Sequence, residues 1–207
     1  MSGSKKKAAC ENTLRIIGGD WRGRKVKFAS ADGLRPTLDR VRETLFNWLQ
    51  GNIYQANCLD LFSGSGALAF EALSRGARHV DIVDNNPQSI RLIKQNLQLL
   101  SCDKAQVYLQ SAQEFIGQKS DASHDNNNNN SVYDIIFLDP PFNQSLLLPI
   151  CEQLNQTALI NESTLIYIET EASLSLSELP DTWQVYRSKQ TKTLSYYLLT
   201  ISGETNV

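Results

Sequence analysis

The chain has 207 residues, 41% of them hydrophobic and 20% charged, with a formal net charge of −2. A chain of this length buries roughly 70% of its unfolded surface, so it needs neither disulfides nor metal for stability. It has no apolar run of the roughly 20 residues a membrane helix requires, and its four cysteines, Cys10, Cys58, Cys102 and Cys151, lie more than forty residues apart, which suits reduced cytosolic thiols rather than zinc ligands.

In chain order, residues 1–13 read as a flexible polar leader. Its Lys5, Lys6 and Lys7 have no apolar stretch behind them, so it is not a signal peptide. Residues 14–17, Gly18-Gly19-Asp20 and 25–28 read as strand, turn and strand. After Arg35-Pro36-Thr37, apolar Leu38, Val41, Leu45, Trp48 and Leu49 recur at helical spacing, with Arg40, Glu43 and Asn47 on another face. Residues 14–50 thus form an N-terminal hairpin and helix. The charge is uneven: residues 1–45 carry +6 and the remainder −8. A basic end on an acidic body suits a polyanion such as nucleic acid, while a merely solvated basic face accounts for the charge as well.

From residue 58 the pattern alternates strand and helix, defining a core over 51–202. Strands are expected at 58–62, 80–83, 105–109, 133–138 and 164–168, with helices over 66–75, after Asn86-Pro87, around 113–116 and over 146–159. The stretches 183–187 and 193–201 have no helix between them and read as an antiparallel pair at a sheet edge, followed by a tail at 203–207. Such alternation implies an α/β doubly wound sheet with right-handed crossovers. An Asn run, 126–130 within 121–131, reads as a disordered insertion at the end of the sheet opposite any ligand.

Three places carry chemistry. Asp60-Leu61-Phe62-Ser63-Gly64-Ser65-Gly66 joins a strand to a helix, where Gly64 and Gly66 permit a sharp turn and a close ligand. With Asp84 twenty residues after Gly64, the loop meets the loose dinucleotide fingerprint. Asp60, however, sets a negative charge where a pyrophosphate would lie, whereas it favours a cofactor with an ammonium group and no phosphate, such as S-adenosylmethionine. Asp84 is placed for ribose hydroxyls, or as a turn-forming residue ahead of Asn86-Pro87. Ser111 follows the third core strand, where an adenine edge is read. Asp139-Pro140-Pro141-Phe142 follows the buried strand: a carboxylate beside a rigid carbonyl can hold both hydrogens of a planar amine, and Phe142 offers a face for a flipped base. The bland alternative is an acidic strand end with a proline turn. His79 opens a strand and His124 lies in the Asn run, so neither is placed as a base, and no metal site is expected.

These motifs resemble the RsmD-type 16S ribosomal RNA guanine-N2 methyltransferases. The likeness rests on Arg15-Ile16-Ile17-Gly18-Gly19 with Arg22-Gly23-Arg24, and on Arg35-Pro36-Thr37 with Arg40-Val41-Arg42-Glu43-Thr44-Leu45-Phe46-Asn47. Asp60 to Gly66 and Asp139 to Phe142 complete it. It implies a class I S-adenosylmethionine-dependent methyltransferase: a Rossmann-like, seven-stranded sheet with an antiparallel C-terminal edge and a small N-terminal hairpin contacting RNA. It also implies a cytoplasmic, monomeric enzyme acting on 16S ribosomal RNA, free or within an assembling small subunit, with neither membrane nor metal. Asp139, Pro140, Pro141 and Phe142 are the expected catalytic residues. Asp60, Phe62, Gly64, Gly66, Asp84, Asn85, Ser111, Arg35 and Thr37 are expected at the cofactor, and Arg22, Arg24, Lys25, Arg40 and Arg42 at the RNA; the competing reading makes the arm a solvated face and Arg35 or Arg42 structural partners of acids on the body. The glycine loop and Asp-Pro-Pro-Phe also occur in adenine-N6 and protein-glutamine methyltransferases, where Asn at the first position and Tyr at the fourth are common. A nicotinamide oxidoreductase and a non-catalytic RNA-binding protein stay open as other classes.

Overall fold

The computed structural model describes residues 11–29, 39–122, 132–141, 145–171, 176–192 and 194–203. An antiparallel hairpin, β1 (Glu11–Arg15) and β2 (Lys25–Ala29), leads to α1 (Asp39–Trp48). Then follow β3 (Asn57–Asp60), α2 (Ala67–Ser74), β4 (His79–Asp84), α3 (Pro87–Leu99), β5 (Ala105–Leu109), α4 (Ala112–Ala122), β6 (Ile135–Leu138), α5 (Leu147–Asn155) and β7 (Leu165–Glu171). The chain closes on β8 (Trp183–Gln190) and β9 (Leu194–Ile201). The seven core strands lie in the order β5-β4-β3-β6-β7-β9-β8, parallel except for β9, which runs antiparallel to both β7 and β8. The order reverses between β3 and β6, so the crevice outside their carboxyl ends is where a ligand is expected.

Local chemistry explains the elements. All four residues of β6 are buried, as in a parallel strand covered on both faces. Asn86 caps α3 by accepting from the Gln88 and Ser89 amides at 2.8 and 3.2 Å, with Pro87 in the first turn. Helices α1, α2 and α3 cover one face of the sheet, around Phe46, Phe70, Ile93 and Phe137. Helices α4 and α5 cover the other, around Phe115, Ile136, Ile150 and Ile166. Among the described residues no helix is long and apolar enough to cross a membrane, and no group of three or more His, Cys, Asp or Glu is placed to hold a metal ion.

Several boundaries move. β1 begins at Glu11, ahead of the expected 14, and β7 runs to Glu171, beyond the expected 168. Helix α4 extends through Ala122, covering the first two residues assigned to the insertion. Residues 1–10, 123–131 and 204–207 lie outside the described residues, and with them nearly all of the leader, the Asn run and the tail.

The hairpin is part of the core. Leu14, Ile16, Val26 and Phe28 point inward and join the cluster of α1, α2 and α3. Its anchor is Glu71, fully buried on α2, which accepts from the Ile17 and Gly18 amides at 2.9 and 2.8 Å and from Arg75 Nε at 2.7 Å. One turn further on, the Ser74 carbonyl accepts from the Asp20 amide at 2.8 Å. The turn fits so closely that a Cβ on Gly19 (φ +73°) would lie 1.8 Å from that carbonyl. Because α2 descends from the glycine loop, its last turn, and the hairpin tip bound to it, lie at the amino ends of the parallel strands.

Candidate active site

The glycine loop folds back onto the end of β4. Ser63 N–H donates to the Val83 carbonyl at 3.0 Å and Gly66 N–H to the Ser63 carbonyl at 2.6 Å. Gly64 and Gly66 take φ of 50° and 77°, the left-handed region that glycine occupies without strain. Asp84 fastens this loop: Oδ2 accepts from Gly64 N–H at 2.6 Å and Oδ1 from Asn86 N–H at 2.7 Å. The structure thus gives Asp84 the turn-forming role, with each carboxylate oxygen accepting one backbone N–H. Burial pushes its carboxyl above the ordinary range.

Asp60 ends β3 at 1% exposure, and its Oδ2 has no hydrogen-bond partner among the described residues. Burial first, then the charge of Asp84, pushes its carboxyl up to about 7, against the pull of the Ala69 and Phe62 amides. An orphaned buried carboxylate oxygen is costly until a donor or cation meets it. The site therefore fits an ammonium-bearing ligand and opposes a pyrophosphate. Phe62 is half-buried against the α4–α5 side, and Asn85 is exposed beside Asp84. Ser111 is engaged as a cap: its hydroxyl accepts from the Glu114 amide at 3.2 Å while Glu114 accepts from the Ser111 amide and hydroxyl, both at 2.9 Å.

Beyond β6 the chain turns through half-buried Asp139, buried Pro140 and exposed Pro141, while Phe142 lies outside the described residues. Phe137 pairs with Tyr167 and Leu138 with Ile168, so Asp139 follows beside Glu169. Glu169 was not foreseen. It is 6% exposed and accepts from the Tyr167 hydroxyl at 2.9 Å. Burial pushes its carboxyl up to about 7, and burial, then Glu169 and Asp139, pushes the Tyr167 hydroxyl up. Asp60, Asp84, Asp139 and Glu169 thus gather at the carboxyl ends of adjacent strands.

The residues expected at RNA divide. Arg42 is a correction: it is 1% exposed, and its Nη2 donates to the Arg15 carbonyl at 3.0 Å and to Asp39 at 2.6 Å, with Nη1 3.8 Å from Glu71. A guanidinium so enclosed ties α1 to the hairpin and α2 and is not presented to a polyanion. Arg40 is exposed at the start of α1. Arg22, Arg24 and Lys25 are exposed at the hairpin tip, and Arg24 donates to the Leu99 carbonyl at 3.1 Å. They lie at the end of the sheet opposite Asp139. Arg35 and Thr37 lie outside the described residues.

Residues 14–200 match the family described as conserved hypothetical protein 95. The ribosomal RNA small subunit methyltransferase D of Haemophilus influenzae is 42% identical over 187 residues, covering 89% of this chain and 92% of that protein. Its namesake from Escherichia coli is 40% identical over 185 residues, covering 89% of this chain and 88% of that protein. The solved structure of yhhF from Escherichia coli, described as a candidate methyltransferase, superposes with a TM-score of 0.82 at 38% identity, covering 93% of this chain and all of that one. With this likeness running through the glycine loop, Asp84 and the Asp139 turn, the chain belongs to the conserved hypothetical protein 95 family, that of the ribosomal RNA small subunit methyltransferases D.

Proposed function

We propose that the chain transfers a methyl group from S-adenosylmethionine to the exocyclic N2 amine of one guanine in 16S ribosomal RNA. The observation that carries this reading is the Asp139-Pro140-Pro141 turn, set beside the crevice that Asp60, Asp84 and the glycine loop form. Asp60 would hold the cofactor's ammonium, Asp84 its ribose hydroxyls, and the loop of Gly64 and Gly66 would admit its backbone-close portion. When bound, the cofactor supplies an electrophilic methyl on a sulfonium that leaves as a neutral thioether.

The chain's own residues do the rest. Guanine N2 is a poor nucleophile because its lone pair is delocalised into the ring. Asp139 and the Pro140 carbonyl accept its two N–H bonds, which biases the nitrogen toward a tetrahedral geometry and turns its lone pair toward the methyl. Such alignment contributes up to roughly 7–11 kcal/mol in favourable cases. Asp139 would take the proton that N2 releases on gaining the methyl, directly or through water. The base must leave its stack, at a cost of a few kcal/mol. Incubating the protein with tritiated S-adenosylmethionine and undermethylated small subunits tests the reading: label enters the RNA, and a result with none in RNA removes it.

Asp60 gives this reading a pH signature. Its carboxyl, raised to about 7, must lose a proton before it can pair with an ammonium. Cofactor affinity is therefore expected to fall as the pH drops below about 7, approaching tenfold per unit. Calorimetry should show proton release on binding, and adenosine, which lacks the ammonium, should show none. An affinity that stays constant between about pH 5.5 and 8 contradicts the assignment. In the ligand-free protein the same shift costs stability as the pH rises from about 4 to about 7, because the unfolded chain releases this proton first.

Arg22, Arg24, Lys25 and Arg40 are proposed to hold parts of the ribosomal RNA away from the target nucleotide. Exchanging Arg22 and Arg24 together for Ala is expected to flatten the salt dependence of binding to whole ribosomal RNA by about one to two units. Cofactor affinity should not move. A slope identical to the parent's returns the hairpin tip to a solvated face.

A further inference from the structure

Three exposed cations without a role so far stand at the carboxyl end of the sheet: Arg187 and Lys189 on β8, and Lys192 in the turn to β9. Strand register places them. Glu169 pairs with Tyr196, and Tyr196 with Lys189; Tyr167 pairs with Leu198, and Leu198 with Arg187. Paired residues on neighbouring strands share a face of the sheet. Glu169, Tyr196 and Lys189 therefore form one row across three strands on the α1 side, and Asp139, the residue after β6, follows beside Glu169. Phe137, Tyr167, Leu198 and Arg187 form the row beneath it.

The stretch 183–194 contains these three cations and no Asp or Glu, within a body whose charge is −8 from residue 46 onward. None of the three makes an ion pair among the described residues. A bulge between Val185 and Arg187 leaves Tyr186 56% exposed, and the Arg187 guanidinium lies 5.0 Å from its ring centroid. Cations and bulges also guard sheet edges against pairing with another chain. Position separates the two roles, because a guard has no need to share a row with Glu169, beside the catalytic carboxylate.

We propose that the β8 edge is a phosphate-binding rail for the RNA strand flanking the target guanine, held by Arg187, Lys189 and Lys192; this rests on the methyl-transfer reading above. Three strand spacings of about 4.8 Å separate Asp139 from Lys189, roughly 14 Å in all. A stacked strand advances about 3.4 Å along its axis per nucleotide, and its phosphates lie farther apart than that along the backbone, so the rail meets the strand within about four nucleotides of the flipped base. Arg22 and Arg24, at the far end of the sheet, are not placed for that stretch.

The test compares the parent with the triple variant Arg187→Ala, Lys189→Ala, Lys192→Ala and with the charge-keeping Arg187→Lys, Lys189→Arg, Lys192→Arg, using the RNA of undermethylated small subunits, presented within the subunits. The alanine variant should flatten the salt dependence of RNA affinity by about two units, ~0.7 per cation, and raise the KM for RNA roughly tenfold or more. Its kcat at saturating RNA, cofactor affinity and melting temperature should match the parent's, and the charge-keeping variant should restore the slope. An unchanged slope and KM overturn the rail, including the case where the alanine variant aggregates while its remaining monomer binds normally; a lowered melting temperature with no change in slope does the same. If the parent transfers no methyl to the RNA, the underlying reading fails and the rail with it. A parent that methylates while the alanine variant binds equally well removes the rail alone.

Discussion

Replacing Asp139 by Ala is expected to lower kcat by roughly 10²–10⁴-fold, the range for losing a positioned proton acceptor, while cofactor affinity is unchanged. Asp139 lies at the carboxyl end of β6, one strand from the glycine loop, so its loss leaves the Asp60 and Asp84 side of the crevice intact. Single-turnover methylation of saturating RNA measures the chemical step apart from binding. Asp139→Asn separates the two duties of the carboxylate, because an amide oxygen still accepts one N–H bond but takes no proton. It should retain RNA affinity and lose turnover. A folded Asp139→Ala protein with parental turnover would place the chemistry elsewhere.

Glu71→Ala should produce the largest loss of stability. Glu71 is fully buried, and its two oxygens hold the Ile17 and Gly18 amides and Arg75 Nε, with Arg42 3.8 Å away. Removing it leaves two amides and Arg75 Nε without their acceptor and takes the buried counter-charge from Arg42, which keeps only the exposed Asp39. Breaking a buried pair from one side costs about 3–5 kcal/mol, which for a chain of this size lowers Tm by roughly 6–20 °C. Thermal unfolding of the apo-protein reads the effect, and hydrogen exchange at Ile17 and Gly18 shows whether the hairpin loosens first. An unchanged Tm would mean that apolar packing alone seats the hairpin. Because α2 begins directly after the glycine loop, loosening its far end is also expected to weaken cofactor binding.

The sheet was legible wherever burial follows a simple period. The apolar run of β6 and the bounds of β5 were read directly, and Asn86-Pro87 announced the start of α3 through chemistry that the capping bonds bear out. What the sequence concealed was the direction of charged side chains. The basic neighbours of Arg42 group it with the RNA-facing cations, but the competing reading, a structural partner of acids, is the one its contacts with Asp39 and Glu71 bear out, and Phe46 four residues on lies on the same side of α1 and is fully buried. Including Phe46 in the apolar stripe would have turned Arg42 inward. Glu71 left a signal as well: a lone acid in the otherwise apolar run of α2 must find partners if the helix is buried all round. Glu169 escapes the sequence reading because the expected strand ends at 168, three residues short of Glu171, although Glu169 sits two residues from Tyr167 on the same face. Charge counting located a basic N-terminal region but could not say at which end of the sheet Arg22 and Arg24 would lie, since that depends on where the hairpin tip meets α2.

The most direct measurement is chemical identification of the product. Undermethylated small subunits are incubated with the protein and S-adenosylmethionine, their RNA is hydrolysed to nucleosides, and the methylated species is identified by mass spectrometry against authentic standards. N2-methylguanosine is expected at a single position of the 16S RNA, absent when Asp139→Ala replaces the parent. Methyl groups on adenosine N6 or on a protein, or none in the RNA at all, would contradict that expectation.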